Sequence, residues 1–307
     1  MPVSTHSDSN APTLVTPSLL RDWPLPAPGE DKYSRGAVLV IGGARATPGA
    51  ALLAGTAALR AGAGKITLAV AESVAVQVGV ALPECGSIAL PETADGSVTG
   101  EGLDRISSYL ERADAVLVGP GLDDPELAES LLRALLEREE PRGATDDGGA
   151  PAVVLDAYAL GGLVKIKDDL GPWRGRLILT PNPTETGILL GRDVEDLGAD
   201  VAEVARRFDA VVSCQGYIAT PGSLEDSTLW KITTGYGGLG TSGSGDVLAG
   251  AIAGLRARGT SDAQAACWGT HLHAAAADRL ASKLGPLGFL ARELADELPA
   301  LMLELNT

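Results

Sequence analysis

Residues 37–70 read AVLVIGGARATPGAALLAGTAALRAGAGKITLAV and carry the clearest information about the fold. The stretch begins with a short apolar run, AVLVI, which ends in two glycines and is typical of a buried strand. A run of small residues at 49–64 predicts a helix that glycine ends, and KITLAV at 65–70 predicts the next strand. A strand, a helix and a second strand in this order predict a parallel pair with a right-handed crossover.

The same alternation continues along the rest of the chain. Four further apolar runs predict buried strands at 115–119, 152–157, 176–180 and 209–214. Residues 217–220 and 227–232 predict an antiparallel hairpin, and helices are predicted after Asp124, over 194–208 and after residue 245. Short strands that alternate with helices predict an α/β fold, a doubly wound and mostly parallel central sheet with helices on both faces.

Two regions of unequal length are predicted. Residues 1–33 are rich in proline and serine, which predicts a disordered or loosely packed tail with one short helix near residues 19–23. Residues 34–307 show no break in composition, which predicts a single domain. A capping box of Ser261 and Gln264 is predicted at the start of a long helix near the carboxyl terminus.

The composition limits the classes of function. The 307-residue chain has 24 Lys and Arg against 40 Asp and Glu, a net charge of −16, so nucleic acids and anionic membranes are disfavoured as partners. A small anionic ligand is not excluded, because backbone amides can hold one locally. The three cysteines are widely spaced, which favours a reducing compartment. Neither a secretory signal nor a long apolar run is present, so we expect a cytoplasmic protein.

The strongest functional signal is GYGGLGTSGSGDVLAGAIAGL at 235–255. Six glycines fall between Gly235 and Gly245, and helix-forming residues follow directly. Glycine amides together with the free N–H groups of a helix N-terminus make a phosphate site. Asp246 in the first helical turn suits a general base that activates a hydroxyl for attack on phosphorus. The alternative is a flexible loop in which Asp246 is only a helix cap.

Three other strand ends are expected to meet at the same edge of the sheet. In TPNPTE, at 180–185, Asn182 and Glu185 could hold a hydrated Mg²⁺ against phosphates; alternatively, Glu185 is merely an acidic residue of a first helical turn. Gly121 could permit the close approach of a ligand, and Asp156 could line the same crevice. The alternative for this second pair is a glycine turn and a helix cap. Neither a Walker A loop nor a G-x-S-x-G elbow is present.

At these residues the chain resembles the ribokinase-like superfamily and, within it, the ADP/ATP-dependent NAD(P)H-hydrate dehydratases. The resemblance covers about residues 23–301 and is carried by KYSRGAVLVIGG, TPGAALLAGTAALRAGAGK, VGPGL, LTPNPTE, SGSGDVLAG and THLHAAAAD. The combination of TPGAALLAG…GAGK with SGSGDVLAG is specific to this branch. The resemblance implies a ribokinase-like fold and repair of the S-epimer of hydrated NADH and NADPH. The 6-hydroxyl is phosphorylated by ADP or ATP, ADP being the expected donor, and elimination of phosphate leaves AMP when ADP is used.

The resemblance also implies roles for individual residues. Asp246 would be the catalytic base, and Asn182 and Glu185 would be linked indirectly to Mg²⁺. The residues implied in nucleotide binding are Gln215, Gly216, Tyr217, Ile218, Ala219, Gly237, Gly238, Thr241, Gly243, Ser244 and Gly245. Those implied in binding the hydrate are Ala50 or Ala51, Gly121, Asn182 and Asp246. A homo-oligomer such as a tetramer is implied as well.

The chain departs from the family pattern at several of these positions. Gln215 stands where the family usually has lysine, and Asn182 stands where it has the histidine of T-P-H-P. Tyr158 replaces the second Asp of D-A-D-A-L, and the Gly-Asn-Pro-Gly of the family is Gly-Tyr-Gly-Gly at 235–238. These changes bear on nucleotide affinity and leave the base intact. Two alternatives therefore stay open: a kinase of a small alcohol such as a vitamin precursor, and a catalytically inactive nucleotide-binding protein.

Overall fold

The computed structural model describes residues 11–27, 29–139, 150–222, 228–235 and 238–306. The strands are β1 (Thr13–Leu14), β2 (Ala37–Ile41), β3 (Lys65–Ala71), β4 (Cys85–Leu90), β5 (Ala115–Val118), β6 (Ala152–Leu155), β7 (Leu177–Leu179), β8 (Ala210–Cys214), β9 (Tyr217–Ala219) and β10 (Leu229–Lys231). The helices are α1 (Pro17–Asp22), α2 (Pro48–Arg60), α3 (Ala75–Ala81), α4 (Ser107–Leu110), α5 (Pro125–Leu136), α6 (Tyr158–Lys165), α7 (Pro183–Leu190), α8 (Leu197–Phe208), α9 (Ser244–Ala257), α10 (Asp262–Leu284) and α11 (Ala291–Asn306). Three short 3₁₀ helices lie at Glu72–Val74, Leu103–Ile106 and Gly171–Trp173.

All ten strands belong to one sheet in the order β1-β10-β9-β8-β7-β6-β5-β2-β3-β4. Every strand runs parallel to its neighbours except β9, which is antiparallel to both β8 and β10. The predicted doubly wound, mostly parallel sheet is therefore confirmed, and so is the hairpin in the second half of the chain. The carboxyl ends of β5, β6, β7 and β8 lie side by side, which places the loops after them along one edge of the sheet.

The two faces of the sheet bury separate apolar cores, as a period of two requires. In β2, Val38 and Val40 join the core beneath α2, α9, α10 and α11, whereas Leu39 and Ile41 join the core beneath α5, α6 and α8. A strand that is buried on both faces reads as a continuous apolar run. The run AVLVI was recognisable as a strand for this reason.

Helices α2 and α9 are packed closely enough to explain why α2 consists of small residues. A Cβ on Gly250 would stand 2.1 Å from the carbonyl oxygen of Ala54, and one on Gly254 would stand 2.4 Å from that of Ala58. Glycines on α9 and alanines on α2 thus allow the two backbones to touch. The contact anchors α9, whose N-terminus lies at the edge of the sheet that carries the candidate site.

The N-terminal segment is packed where it is described, although its composition predicts a loose tail up to residue 33. Strand β1 adds to the sheet edge beside β10, and Val15, Leu20 and Leu25 are buried in the core. The indole Nε1 of Trp268 donates a hydrogen bond to the carbonyl of Trp23 at 2.9 Å. The predicted short helix is α1, and residues 1–10 of the expected tail lie outside the described ranges.

The predicted capping box at the start of α10 forms only in half. Ser261 accepts a hydrogen bond from the backbone N–H of Gln264 at 3.2 Å, as a capping box requires. The side chain of Gln264 does not return that bond, because its Nε2 donates to the carbonyls of Trp23 and Pro24 instead. Tertiary contact with the N-terminal segment has replaced the local partner. Among the described residues, none of the helices has the length and apolar character needed to cross a bilayer.

Candidate active site

The N-terminus of α9 forms the centre of the candidate site. Gly243 is its N-cap, in the left-handed region with φ +89°, and it contributes no side-chain cap. The amides of Gly245 and Asp246 belong to the first turn, so no helical carbonyl is available to them. Neither amide has a hydrogen-bond partner among the described residues, and the space above Gly245 is open within 4 Å. Two free N–H groups and the helix dipole thus lie beside open space, an arrangement that can hold an anion.

Asp246 stands beside this anion site as a half-buried carboxylate. It is not the helix cap, since that position belongs to Gly243, and its side chain makes no hydrogen bond within the described part of the chain. Burial raises the pKa of Asp246 to about 6. A carboxylate that lacks hydrogen bonds and has a raised pKa is a stronger base than a solvated one. The geometry therefore favours the general-base interpretation of Asp246 over the alternative of a helix cap.

Asp156, at the end of β6, is a second buried acid of the same crevice. It is 6% exposed, and it accepts a hydrogen bond from Thr180 Oγ1 at 2.8 Å. Burial, together with the charges of Asp246 and Glu185, raises the pKa of Asp156 to about 7, although the hydrogen bond from Thr180 opposes the rise. The hydrogen bond between Thr180 and Asp156 thus joins the ends of β6 and β7. The next residue, Ala157, has φ +51°, which is a strained conformation for a residue with a side chain.

Gly121 and Ala50 lie together at the opposite side of the crevice, where β5 ends. A Cβ on Gly121 would stand 3.1 Å from that of Ala50 and 2.4 Å from the carbonyl oxygen of Thr47. The hydroxyl of Thr47 donates to the carbonyl of Gly121 at 2.8 Å, which fixes the loop. Ala51, the alternative to Ala50, is fully buried in the core. Of the two alanines, only Ala50 is accessible to a ligand, and the assignment of Ala51 is corrected.

Asn182 and Glu185 form a capping box at the start of α7. Asn182 Oδ1 accepts from the amide of Glu185 at 2.9 Å, and the Glu185 carboxylate accepts from the amide of Asn182 at 2.8 Å. Burial raises the pKa of Glu185, and the hydrogen bond from Asn182 partly opposes this. The two side chains are thus primarily a helix cap. Within the described ranges, no cluster of three or more His, Cys, Asp or Glu is arranged to hold a metal ion.

The segment 215–219 forms the turn between β8 and β9. Gln215 and Gly216 both have positive φ, +43° and +83°, as the two central residues of a type I′ hairpin turn require. Gln215 is exposed in the turn that follows β8. The hydroxyl of Tyr217 accepts a hydrogen bond from Lys231 Nζ at 2.8 Å. The side chains of Ile218 and Ala219 are fully buried, one in each core, so of these two residues only the backbone could lie along a nucleotide. One core covers each face of the hairpin, which is why both side chains are buried.

The loop before α9 is held by turns and by apolar contacts. Thr241 donates its amide to the carbonyl of Gly238 at 3.3 Å, and its own carbonyl accepts from the amide of Ser244 at 3.2 Å. Gly238 has φ +79° and lies directly against Phe289. Gly237, another predicted nucleotide contact, lies outside the described residues.

Ser244 does not present its hydroxyl to the crevice, contrary to the role that the resemblance implied. It is 4% exposed, and its Oγ lies 3.0 Å from Nε2 of His273, on α10. His271, two residues earlier, lies on a different face of the helix, and its buried Nδ1 has no partner among the described residues. Spacing within α10 predicts this difference in direction, but no local pattern could have paired His273 with a residue 29 positions away.

The chain is similar in sequence to known proteins of one family. The family model for NAD(P)H-hydrate dehydratase matches residues 38–300. The ADP-dependent (S)-NAD(P)H-hydrate dehydratase of Xanthomonas campestris is 40% identical over 295 residues, which are 94% of this chain and 95% of that protein. The bifunctional NAD(P)H-hydrate repair enzyme of Moorella thermoacetica is 36% identical over 88% of this chain, and the chain spans 50% of its length.

Solved structures show the same fold. An ADP/ATP-dependent NAD(P)H-hydrate dehydratase from Bacillus subtilis, co-crystallised with ATP/Mg²⁺, has a TM-score of 0.72 at 26% identity and covers 95% of this chain, 98% of its own. A ribokinase-like superfamily protein from Enterococcus faecalis has a TM-score of 0.76 at 20% identity, with 95% and 96% covered. The sequence match and the shared fold confirm the resemblance, and the chain therefore belongs to the NAD(P)H-hydrate dehydratase family of ribokinase-like enzymes.

Proposed function

We propose that this chain dehydrates the S-epimer of hydrated NADH and NADPH, with ADP as the phosphoryl donor and AMP and phosphate as the other products. The observation that carries the proposal is Asp246, a half-buried carboxylate without hydrogen bonds in the described residues, beside the two free amides at the start of α9. The relative that is 40% identical over nearly the whole chain is named as ADP-dependent and specific for the S-epimer, which supports both assignments here.

The residues of the crevice have separate roles in the proposed reaction. The amides of Gly245 and Asp246 hold the transferring phosphoryl group, since preset N–H donors stabilise charge that develops on oxygen. Asp246 removes the proton from the 6-hydroxyl as that oxygen attacks phosphorus, which breaks the bond to the AMP leaving group. Ala50 and Gly121 present small surfaces that let the hydrated nicotinamide ring approach the sheet edge. Loss of the new phosphate from the 6-position, together with a proton from the adjacent ring carbon, then re-forms the double bond of the dihydronicotinamide.

Mg²⁺ enters this proposal together with the nucleotide. Mg²⁺ usually keeps several waters and binds phosphates with one or two carboxylates, so the absence of a ligand cluster from the described residues does not oppose it. Glu185 is the carboxylate of the crevice that suits a cation, because burial raises its pKa and a positive charge nearby would stabilise its ionised form. Glu185 Oε2 accepts the hydrogen bond from the Asn182 amide, and Glu185 would hold a hydrated ion through water. The ion would supply charge neutralisation on the phosphates.

The test is recovery of the dihydronicotinamide absorbance from hydrated NADH. The S- and R-epimers are separated and incubated with Mg²⁺ and either ADP or ATP, with a chelator control. We expect recovery from the S-epimer alone and faster recovery with ADP. No recovery with either nucleotide rejects the proposal, and accumulation of a phosphorylated hydrate without recovery would favour a kinase. Faster recovery with ATP would reverse the assignment of the donor.

The setting of the enzyme is a further part of the proposal. We place it in the cytoplasm, supported by three free cysteines, Cys85, Cys214 and Cys267, which suit a reducing compartment. We also expect a homo-oligomer such as a tetramer. Light scattering tests this directly, because a mass equal to the 31.2 kDa of one chain would exclude it.

A further inference from the structure

Ser244, the first residue of α9, uses both of its polar groups inside the protein. Its amide donates to the carbonyl of Thr241 at 3.2 Å, and its Oγ lies 3.0 Å from Nε2 of His273. At 4% exposure, this hydroxyl has no free approach for a ligand. Yet Ser244 lies between Gly243 and Gly245, at the centre of the anion site. Its side chain therefore acts on the site through the backbone.

The two glycines beside Ser244 explain why its hydrogen bonds matter. Gly243 and Gly245 have no side chains, and glycine loses more conformational freedom on ordering than any other residue. Gly243 is additionally in the left-handed region, and Gly245 is exposed with open space above it. The hydrogen bonds of Ser244 add to the restraint that the Val247 amide supplies by donating to the carbonyl of Gly243 at 3.1 Å. Ser244 is the residue of this turn whose side chain reaches another helix.

His273 can hold a hydrogen bond without adding a positive charge. It is 5% exposed on α10, and burial lowers its pKa to about 4, so the imidazole is neutral at neutral pH. A cationic group at this place would lower the pKa of Asp246 and weaken it as a base. A neutral imidazole fixes the turn and leaves the basicity of Asp246 unchanged.

We propose that His273 is a positioning residue for phosphoryl transfer, which fixes the first turn of α9 through Ser244 Oγ and thereby sets where Gly245 and Asp246 meet the phosphate. His273 itself touches neither the nucleotide nor the hydrate. This role of His273 rests on the proposed function, because that function supplies the phosphoryl transfer. The anion site itself rests only on the geometry. A displacement of about 1 Å at a reacting group costs about 100-fold in rate, so a loosened turn should be visible in kinetics.

The experiment compares His273→Leu, Ser244→Ala and the double variant with His273→Gln, whose amide reaches the place of Nε2. The matched control is Thr270→Val on the same helix. Thr270 is 5% exposed, and its Oγ1 lies 2.8 Å from Ser213 Oγ on β8, so this variant removes an equally buried hydrogen bond that does not reach α9. Each protein is measured for ADP affinity by calorimetry, for kcat and KM in the recovery assay, and for melting temperature.

We expect His273→Leu and Ser244→Ala each to lower kcat/KM by about 10- to 100-fold and to weaken ADP binding. The double variant should lose no more than either single variant, because both remove the same tie. His273→Gln should recover most of the activity. Thr270→Val should lose a similar amount of melting temperature and keep wild-type kinetics, which separates positioning from general stability.

Three results would overturn the proposal: wild-type ADP affinity and kinetics in His273→Leu, losses that add in the double variant, or the same kinetic loss in Thr270→Val. If His273→Leu does not fold, Ser244→Ala and His273→Gln decide by the same criteria. A wild-type protein that binds ADP without restoring NADH rejects the proposed function, and the ADP affinities alone then decide the role of His273. A wild-type protein that binds no ADP overturns both.

Discussion

Replacement of Asp246 by asparagine tests the base directly, because the variant keeps the size of the side chain and loses the ability to accept a proton. Loss of a general base lowers the rate by about 10²- to 10⁴-fold. ADP affinity should be kept or increased, since a negative charge beside the phosphates has been removed. We therefore expect a fall in kcat at nearly unchanged or lower KM for ADP.

The structure also predicts the effect on stability and its sign. The pKa of Asp246 is raised from 3.8 to about 6 by burial, a difference of roughly 2 units, or about 3 kcal/mol at most. Between these two pH values the folded protein holds a proton that the unfolded chain has released, so stability falls as pH rises through this window. Above about pH 6 the wild-type protein carries the full cost, and Asp246→Asn should be the more stable of the two.

The assay is recovery of NADH from its S-hydrate between about pH 5 and pH 8, with urea unfolding at the same pH values. Wild-type kcat should fall as pH drops below about 6, and the residual activity of Asp246→Asn should lack that limb. Hydrated NADH decays in acid, so initial rates with a no-enzyme blank serve as the control. A folded Asp246→Asn protein that works at close to the wild-type rate would refute the assignment of the base and the mechanism with it.

Three further substitutions separate the roles of the neighbouring residues. Asp156→Asn keeps an acceptor for Thr180 and removes an acid whose pKa is raised from 3.8 to about 7. Its gain in unfolding free energy over wild type should grow between about pH 4 and pH 7 and then level off, at about 4 kcal/mol at most. A gain that does not change with pH would contradict the raised pKa. Gly245→Ala places a methyl in open space, so melting temperature should hold while KM for ADP rises about 10-fold; an unchanged KM would move the phosphate away from this amide. Ala157→Gly relieves the positive φ, and the free energy of unfolding in urea should increase by about 1 kcal/mol; a decrease would show that the strain is smaller than the entropy of glycine.

The sequence predicts the sheet well where strands are buried on both faces and poorly at its edges. Strands β2, β3, β5 and β8 begin and end within one residue of their apolar runs, because both faces demand apolar side chains. Edge strand β4 reads CGSIAL and is partly exposed, so it has neither an apolar run nor a clear alternation. Strand β1 has only two residues and is stabilised by pairing with β10, which is a tertiary contact.

Some features of the site follow from residues that are adjacent in sequence, and others depend on packing between distant elements. Asp246 and the glycine loop are predictable because the chemistry lies within a few consecutive residues. Ala50 and Ala51 are not distinguishable from sequence, because neighbouring positions differ by about 100° around a helix and α2 consists of small residues throughout. The pairing of Ser244 with His273 depends on how α9 packs against α10, and the charge contact between Asp156 and Asp246 depends on the register of the sheet.

Backbone amides suit this site better than basic side chains, because Asp246 has to remain a strong enough base. An arginine or lysine beside the phosphate would bind it more tightly, but the same charge would lower the pKa of Asp246 and reduce its strength as a base. No such cation contributes to the pKa of Asp246 within the described residues, and burial alone raises it. Amides at a helix N-terminus provide partial positive charge that points at the phosphate. In the proposed mechanism the glycines that surround Ser244 would allow the phosphate to reach these amides, and the neutral His273 would hold the turn, so that an anion site and a base could be adjacent without cancelling each other.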